Sequence, residues 1–504
     1  MVSEKLQKAR DFEGKYIPYV PASKRPAFHV TGGIGWINDP NGFSVYKGEY
    51  HLFFQYHPYS TKWGPMHWGH VKTRDFVRWA FLPVAMAPDE PYDHAGCFSG
   101  SAVEMPDGRQ LLMYTGVQQV RQEDGVLRDI QTQCIAIGDG INYEKCPENP
   151  VLTEKDLPEG GSKYDFRDPK VWLDEDGSYY AVVGNRCSDD SGTILLYRSE
   201  DGIHWTYITI LDASYNEYGK MWECPDFFPL DGKQVLLTSP QEMTPVGLEF
   251  HPGFGTICLI GSYDKEHCAF LRERVQAVDY GIDFYAPQTL ATPDGRRVMT
   301  AWMQNWSTAN CQPSGIHCFG EMILPRELTL RDGRLIQNPV RELERYRGRR
   351  VSFRDVLVSD ETNLQGVRGR ILDLTVTIRP AGKSGYRWFR FNIAKDGEHF
   401  TTVRYKPETS KIRVDRTRCG FPYDIVHVRE FLVRPRDGEL KIRAIMDRHS
   451  VELFFNDGEQ AATFLLYTPE QADAISFEAD GAVLMDVEKY DLLLGAEPEG
   501  GAQK

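Results

Sequence analysis

A chain of 504 residues is too long for one ordinary hydrophobic core, and 41% apolar residues indicate packed globular domains rather than disorder. The formal net charge is −14, and lysines and arginines are scattered along the chain. This argues against nucleic acid or an anionic membrane surface as a partner.

The N-terminus MVSEKLQKARDFEGKYIPYV is charged throughout and lacks the apolar core of a secretory signal. No stretch approaches the roughly 18 apolar residues of a membrane span. The ten cysteines lie far apart without a C-x-x-C pair, so we expect no disulfide framework, no metal site and no cofactor. We therefore expect a cytoplasmic protein with an N-terminal extension at residues 1–24.

After this extension, short β-rich runs alternate with Gly, Asp, Asn and Pro turns, which is typical of an all-β protein. Five segments share one plan, in which an aromatic and polar stretch opens a strand, a Gly-containing turn follows and a hydrophobic strand returns. We call the opening stretches boxes 1 to 5. The boxes begin near positions 36, 97, 166, 222 and 284 and read WINDPNG, CFSGSAV, DFRDPKV, WECPD and DFYAPQ.

The boxes are spaced roughly 55 to 70 residues apart, which suits the four strands of one propeller blade. Five blades around one axis would bring all five boxes to one mouth of a central channel. The alternative is a generic β-sandwich with coincidental turns. Because five segments match, we predict a five-bladed β-propeller over residues 1–340.

The pattern changes near residue 340, where we expect a linker at residues 341–350. Longer alternating strands follow, such as RILDLTVTI and SVELFFNDGEQAATFLLYT, and these are typical of antiparallel sheets buried on one face. We therefore predict an all-β chain in which the propeller is followed by a C-terminal β-sandwich at residues 351–495. A flexible tail is expected at residues 496–504.

Three boxes carry carboxylates in tight settings: Asp39 in box 1, Asp168 in box 3 and Glu223 in box 4. Carboxylates gathered at one channel mouth repel each other unless they bind a cation or do chemistry. A hard cation would need six to eight oxygen ligands, whereas aromatic residues near the boxes offer apolar faces to sugar rings. The pattern favours glycoside chemistry, in which one carboxylate attacks the anomeric carbon and another protonates the leaving oxygen.

The five boxes, in this order and spacing, resemble glycoside hydrolase family 32, which contains invertases, sucrose-6-phosphate hydrolases, inulinases and levanases. The resemblance runs from about Arg25 to the C-terminus, where IRAIMDRHSVELFFNDGEQAATFLLYT is similar to the family's sandwich domain. It implies a five-bladed propeller and a retaining double displacement at C2 of a terminal β-fructofuranosyl unit.

The resemblance also implies roles for the carboxylates. Asp39 corresponds to the nucleophile, Glu223 to the general acid/base, and Asp168 to the residue that holds fructose hydroxyls and stabilises the transition state. The residues expected to bind the substrate are Asn38, Gln55, Trp63, Phe98, Ser99, Arg167, Tyr285 and Trp302.

Two points stay open at this stage. The segment Met303–Met322 is longer than the family's usual link at this place, and its role is unassigned. A phosphorylated substrate would need cations near the glucosyl 6-position, and neither Lys170 nor Arg186 can be placed there from sequence.

The expected partner is a small sugar: sucrose, sucrose 6-phosphate or a short fructo-oligosaccharide. Two alternatives to the hydrolase are a fructosyltransferase, which uses the same intermediate, and a sugar-binding propeller that has lost catalysis. The three intact carboxylates argue against the second. The oligomeric state stays open, with a homodimer through the β-sandwich as one alternative.

Overall fold

The computed structural model describes residues 2–382 and 385–494 of the chain. The tail predicted at 496–504 lies outside the described residues. Within the described ranges, no helix has the length and apolar character needed to cross a membrane.

The N-terminal part of the chain folds into five sheets of four antiparallel strands, each built around one box, and a fifth strand joins the first sheet. The first contains β1 (Gly35–Tyr46), β2 (Glu49–His57), β3 (His67–Thr73) and β4 (Ala80–Met86). The second contains β5 (Gly96–Glu104), β6 (Gln110–Arg121), β7 (Leu127–Gly138) and β8 (Tyr143–Lys145). The third contains β9 (Gly161–Leu173), β10 (Tyr179–Cys187), β11 (Gly192–Ser199) and β12 (Trp205–Ala213).

The fourth sheet contains β13 (Trp222–Leu230), β14 (Lys233–Pro240), β15 (Ile257–Asp264) and β16 (Ala269–Ala277). The fifth contains β17 (Tyr285–Ala291), β18 (Arg297–Trp302), β20 (Arg326–Arg331) and β21 (Arg334–Pro339). A short strand between β18 and β20, β19 (Cys318–Phe319), joins the first sheet instead.

The five sheets are blades arranged in a closed ring. The first strands β1, β5, β9, β13 and β17 each contact the next, and β17 contacts β1. These strands therefore surround the axis, and the five boxes that they carry meet at one end of it. The predicted five-bladed propeller is confirmed.

Each blade packs against its neighbours through apolar side chains on both of its faces, because successive side chains of a strand point to opposite faces. In β6, Leu111 and Met113 belong to the apolar core shared with the third blade. Leu112 and Tyr114, on the other face, belong to the core shared with the first blade.

The segment Met303–Met322 closes the ring. Its strand β19 pairs in parallel with β1, with Cys318 opposite Gly35 and Phe319 opposite Trp36. The chain thus leaves the fifth blade after β18, adds a strand to the first blade, and returns to complete the fifth.

Helix α1 (Glu4–Tyr16) packs on the outside of the first blade, against β4. Ser3 caps it by accepting a hydrogen bond from the backbone N–H of Leu6 at 3.2 Å, and the helix buries Leu6 and Ala9. Short 3₁₀ helices occupy Ile17–Tyr19, Ala22–Lys24, Glu154–Asp156, Arg341–Tyr346 and Pro407–Thr409.

The C-terminal part is a sandwich of two antiparallel sheets. The six-stranded sheet contains, in spatial order, β22 (Arg347–Val358), β32 (Val483–Leu492), β23 (Leu372–Pro380), β28 (Leu440–Asp447), β29 (Ser450–Phe455) and β30 (Gln460–Leu465). The five-stranded sheet contains β27 (Val428–Leu432), β26 (Lys411–Arg418), β25 (Phe400–Lys406), β24 (Tyr386–Lys395) and β31 (Ala474–Gly481). The predicted β-sandwich is confirmed.

The expected linker at residues 341–350 contains the 3₁₀ helix Arg341–Tyr346 and the start of β22. Leu343 and Tyr346 are buried in the apolar cluster of the first blade. Apolar burial therefore holds this segment against the propeller.

Buried ion pairs connect the propeller to the sandwich. Arg326 of the fifth blade contacts Asp279 at 2.9 Å and Glu452 of the sandwich at 2.6 Å. His29 lies between Asp447 and Glu452, at 2.8 and 3.0 Å. Burial disfavours the charged imidazole, but these two carboxylates outweigh burial and raise the pKa of His29 to about 10. The interface is therefore held by compensated charges that would be costly to separate.

A substitution at Gly320 tests whether the segment Met303–Met322 packs tightly against β1. Its φ is +92°, and a Cβ there would lie 2.1 Å from the backbone oxygen of Ile37. We expect Gly320→Ala to lower the free energy of unfolding by about 1–3 kcal/mol more than Gly315→Ala does. Gly315, at φ +72°, has open space around its Cβ position and is the matched control, because it shares the backbone strain. Equal losses in denaturant unfolding would contradict the tight contact between the closing segment and β1.

Candidate active site

The first strand of each blade shifts its pairing register with the second strand inside the box. In β1 the register shifts between Ile37 and Pro40, and in β13 between Glu223 and Asp226. Corresponding shifts lie at Phe98–Gly100 in β5, Arg167–Lys170 in β9 and Tyr285–Gln288 in β17. A β-bulge bends the strand and redirects its side chains, so this repeated feature can turn box residues towards the channel mouth.

The bulges of boxes 3, 4 and 5 place a non-glycine residue in the left-handed region. These residues are Asp168 (φ +68°), Cys224 (φ +49°) and Ala286 (φ +54°). Such backbone costs about 1–2 kcal/mol per residue, and strain of this kind clusters at functional sites. The side chains immediately before these residues, Arg167, Glu223 and Tyr285, are hydrogen-bonded to one another in a row.

Asp39 is 8% exposed and is held through one of its two oxygens. Its Oδ2 accepts a hydrogen bond from Ser99 Oγ at 2.8 Å, and Cys224 Sγ lies 3.7 Å from the same oxygen. Its Oδ1 has no hydrogen-bond partner among the described residues. The carboxyl is therefore fixed through one oxygen, while the other is buried without a partner in the described part of the chain.

Asp168 is buried beside Cys224. Its Oδ2 accepts a hydrogen bond from the backbone N–H of Cys224 at 3.0 Å, and Cys224 Sγ lies 3.6 Å away. Its own backbone N–H donates to Thr115 Oγ1 at 2.9 Å. These contacts fix Asp168 between the second and fourth blades, with the Arg167 guanidinium 3.9 Å from the same carboxylate.

Glu223 is held at both oxygens. Arg167 donates from Nε at 3.0 Å and from Nη2 at 2.9 Å to Oε1. Oε2 lies 2.6 Å from the hydroxyl of Tyr285, which is also 2.9 Å from the carbonyl oxygen of Ser239. Because the tyrosine hydroxyl carries a single hydrogen, it can donate to Glu223, or donate to Ser239 and accept from a protonated Glu223. Donation from Tyr285 to Glu223 stabilises the Glu223 carboxylate, whereas donation to Ser239 leaves the hydroxyl oxygen able to accept from the protonated acid.

Burial moves the pKa values of Asp39 and Asp168 towards neutral pH. It raises the pKa of Asp39 to about 6, and the charge of Glu223 adds to the rise. It raises the pKa of Asp168 to about 7, where the opposing Arg167 guanidinium is outweighed by burial together with Glu223 and Asp39. Carboxyls that titrate near pH 7 in a cleft are typical of catalytic sites.

The three carboxyls line a cavity of about 740 Å³ at the channel mouth. Six of the eight residues predicted to bind substrate also line it: Asn38, Gln55, Trp63, Phe98, Ser99 and Arg167. The sequence did not identify ten other lining residues: Gln119, Leu127, Arg128, Asp129, Gln131, Tyr164, Asp165, Gln241, Phe254 and Trp306. Most of these come from second and third strands or from loops, where no box motif draws attention to them.

Trp302 and Tyr285 do not line the cavity. Trp302 is fully buried and packs edge-on against Trp36 and Trp306, with ring centroids 6.2 and 5.1 Å away. Trp306 lines the cavity instead. The prediction that Trp302 contacts substrate is therefore corrected, since it supports two aromatic neighbours from behind. Tyr285 is also fully buried, and it contacts Glu223 rather than the open cavity.

Comparisons with known proteins agree with this geometry. The chain matches the models for the N-terminal domain of glycosyl hydrolases family 32 over residues 29–339 and the C-terminal domain over residues 342–492. It is 38% identical over 474 residues to a raffinose invertase of Escherichia coli, covering 92% of this chain and 94% of that protein. It is 36% identical over 447 residues to a sucrose-6-phosphate hydrolase of Zymomonas mobilis, covering 86% and 84%.

Solved structures show the same architecture. A GH32 beta-fructofuranosidase of Bombyx mori, solved as a mutant in complex with sucrose, has a TM-score of 0.83 and 32% identity, covering 97% of this chain and 98% of that chain. A sucrose-6-phosphate hydrolase of Lactobacillus gasseri has a TM-score of 0.81 and 26% identity, covering 97% and 96%. With both of its domains matched, this chain belongs to glycosyl hydrolase family 32.

Proposed function

We propose that this chain is a retaining β-fructofuranosidase that hydrolyses sucrose and releases fructose. The observation that carries the proposal is the meeting of three carboxyls around one cysteine. Cys224 Sγ lies 3.7 Å from Asp39 and 3.6 Å from Asp168, and Glu223 precedes it in the chain. The raffinose invertase relative and the sucrose-bound beta-fructofuranosidase support this substrate class.

In the proposed first step, the Asp39 carboxylate, which lines the cavity, attacks C2 of the fructosyl unit. The bond between C2 and the glycosidic oxygen breaks, and Glu223 gives its proton to that oxygen as glucose leaves. In the second step, the Glu223 carboxylate takes a proton from water, whose oxygen attacks C2. The ester to Asp39 then breaks and fructose is released.

The surroundings of Glu223 support both of its states. The two Arg167 hydrogen bonds at Oε1 favour the carboxylate that the second step needs. The Tyr285 hydroxyl, when it donates to the Ser239 carbonyl, can accept a hydrogen bond from the protonated Glu223 that the first step needs. A residue that alternates between acid and base requires an environment of this kind.

Asp168 is proposed to hold fructose hydroxyls and to stabilise positive charge at the transition state. Trp63 and Phe98 meet edge to face with centroids 6.1 Å apart on the cavity wall, and Trp63 is 46% exposed. We infer that these rings pack against the apolar face of the sugar.

The location and assembly expected from the sequence stay predictions. Cell fractionation tests the cytoplasmic location. Light scattering on the purified full chain tests the homodimer through the β-sandwich.

Asp39→Asn should abolish sucrose hydrolysis and stabilise the fold. Because folding raises the pKa of Asp39 from 3.8 to about 6, stability falls as pH rises across that window, a cost of about 3 kcal/mol at pH 7. The variant should therefore unfold later than wild type at pH 7 and show no such gain near pH 4. Chromatography of the sugars after incubation with sucrose, and denaturant unfolding at both pH values, measure the two effects.

Asp107→Asn is the matched control for this variant, because Asp107 is an exposed residue paired with Arg109 in the turn after β5. Substantial release of glucose and fructose by Asp39→Asn would overturn the nucleophile assignment. A trisaccharide as the main product of the wild type would overturn hydrolysis in favour of fructosyl transfer.

The activity should begin to fall at an unusually high pH when the solution is made more acidic. Asp39 and Asp168 act as carboxylates, so kcat/KM for sucrose should fall as pH drops through about 7 to 6, the pKa values of these coupled groups. Circular dichroism at each pH controls for unfolding. A limb below pH 5, near the ordinary aspartate value, would show that burial does not shift these groups as described.

Glu223→Gln should slow sucrose by about 10²–10⁴-fold. It should slow fructosyl fluoride much less, because fluoride leaves without a proton from the enzyme. Tyr285→Phe, which removes the hydroxyl at Glu223 Oε2, should show the same pattern with a smaller loss. Steady-state kinetics with both substrates measure this contrast, and equal slowing of the two would count against the acid role.

A further inference from the structure

Relatives named raffinose invertase and sucrose-6-phosphate hydrolase match this chain at 38% and 36% identity. The choice between a neutral and a phosphorylated sugar therefore has to come from the residues of this chain. The part of the cavity that could decide it is the hairpin of β6 and β7 in the second blade.

The β6–β7 hairpin forms one wall of the cavity. Its strands pair without a break from Gln110 and Gly138 to Arg121 and Leu127. Gln119, Leu127, Arg128 and Asp129, close to the hairpin tip, line the cavity. The boxes that hold the carboxyls lie on first strands, so the hairpin tip lines the cavity away from them and we infer that it faces the leaving sugar.

The cavity lining is acidic. Five carboxyls line it (Asp39, Asp129, Asp165, Asp168 and Glu223), against two guanidiniums (Arg128 and Arg167). No lysine is among these lining residues, which belong to the described part of the chain. Even with Glu223 protonated for catalysis, four carboxyl groups face two cations.

Both guanidiniums already contact carboxylates. Arg167 is engaged by Glu223 at 2.9 Å and by Asp165 at 3.2 Å. Arg128 is paired with Asp124 at the hairpin tip, at 2.5 Å. The Asp129 side chain, by contrast, has no hydrogen-bond or ion-pair partner within residues 2–382 and 385–494, so no cation contacts its carboxylate at the cavity wall.

The two cations considered from sequence also lie elsewhere. Lys170 Nζ is 3.0 Å from Asp226 and 2.7 Å from the carbonyl oxygen of Thr289, and it borders a separate cavity. Arg186 pairs with Asp190 at 2.7 Å. Neither residue lines the cavity that holds the three carboxyls.

We propose that Asp129 is a specificity-determining residue that makes this site select unphosphorylated sugars, by accepting a hydrogen bond from a hydroxyl of the leaving sugar and repelling a 6-phosphate. This inference rests on the proposed β-fructofuranosidase activity. A phosphomonoester carries about −1.5 to −2 charges at pH 7, and like charges in a partly enclosed cavity repel strongly. The neutral sugar pays no such penalty.

The test compares kcat/KM for sucrose and for sucrose 6-phosphate on the full chain at pH 7. We expect wild type to prefer sucrose by at least about tenfold at low salt. Raising the ionic strength from about 0.02 M to about 0.5 M should narrow this ratio, because salt screens the repulsion of the phosphate but leaves the neutral sugar unaffected. The salt series requires no variant, so it does not depend on how a substituted hairpin folds.

Asp129→Asn should shift the ratio towards sucrose 6-phosphate by about threefold or more. Asp107→Asn, which removes the same charge away from the cavity, should leave the ratio unchanged. A wild-type preference for sucrose 6-phosphate, or a ratio unmoved by both salt and Asp129→Asn, would overturn the inference while leaving the proposed function intact. Turnover of neither sugar would instead contradict the proposed function itself.

Discussion

The site depends on burying three carboxyls around one arginine. Like charges in a low-dielectric setting repel, and burial alone already moves Asp39 and Asp168 towards neutrality. Arg167 supplies the compensating charge, yet it contacts Glu223 closely and Asp168 only at 3.9 Å. One cation therefore cannot neutralise all three groups. The remaining imbalance leaves carboxyls that gain and lose protons near pH 7, so the same crowding that destabilises the fold prepares the chemistry.

A closed ring with a bulge in every first strand makes this crowding possible. The ring brings boxes from distant parts of the sequence together, and β19 locks the last blade to the first. The bulges then redirect the box residues, with left-handed backbone at Asp168, Cys224 and Ala286. The strained backbone and the repelling carboxyls belong to the same few box residues. The packed blades around them stabilise this unfavourable arrangement.

The site residues that lie in short sequence motifs could be predicted, whereas those brought to the cavity only by the fold could not. Asp39, Asp168 and Glu223 could be predicted because each lies in a short motif that recurs along the chain. The prediction for Trp302 was wrong because the sequence does not show that other aromatic rings cover it at the end of β18, and Trp306 lies on the cavity wall instead. Asp129 lies in a long regular hairpin without a motif, and only the ring places it opposite the boxes.

Box 5 shows how the sandwich contributes to the site. Its carboxylate, Asp283, is fully buried and pairs with Arg416 of the sandwich, and it also accepts a hydrogen bond from the backbone N–H of Leu465 at 2.8 Å. The Asp283 carboxylate thus forms an ion pair between the two domains, and Asp283 does not line the cavity. Because Tyr285 follows only two residues later, the interface anchors the strand that presents its hydroxyl to Glu223. The sandwich thus stabilises the position of the acid, and none of its described residues lines the substrate cavity.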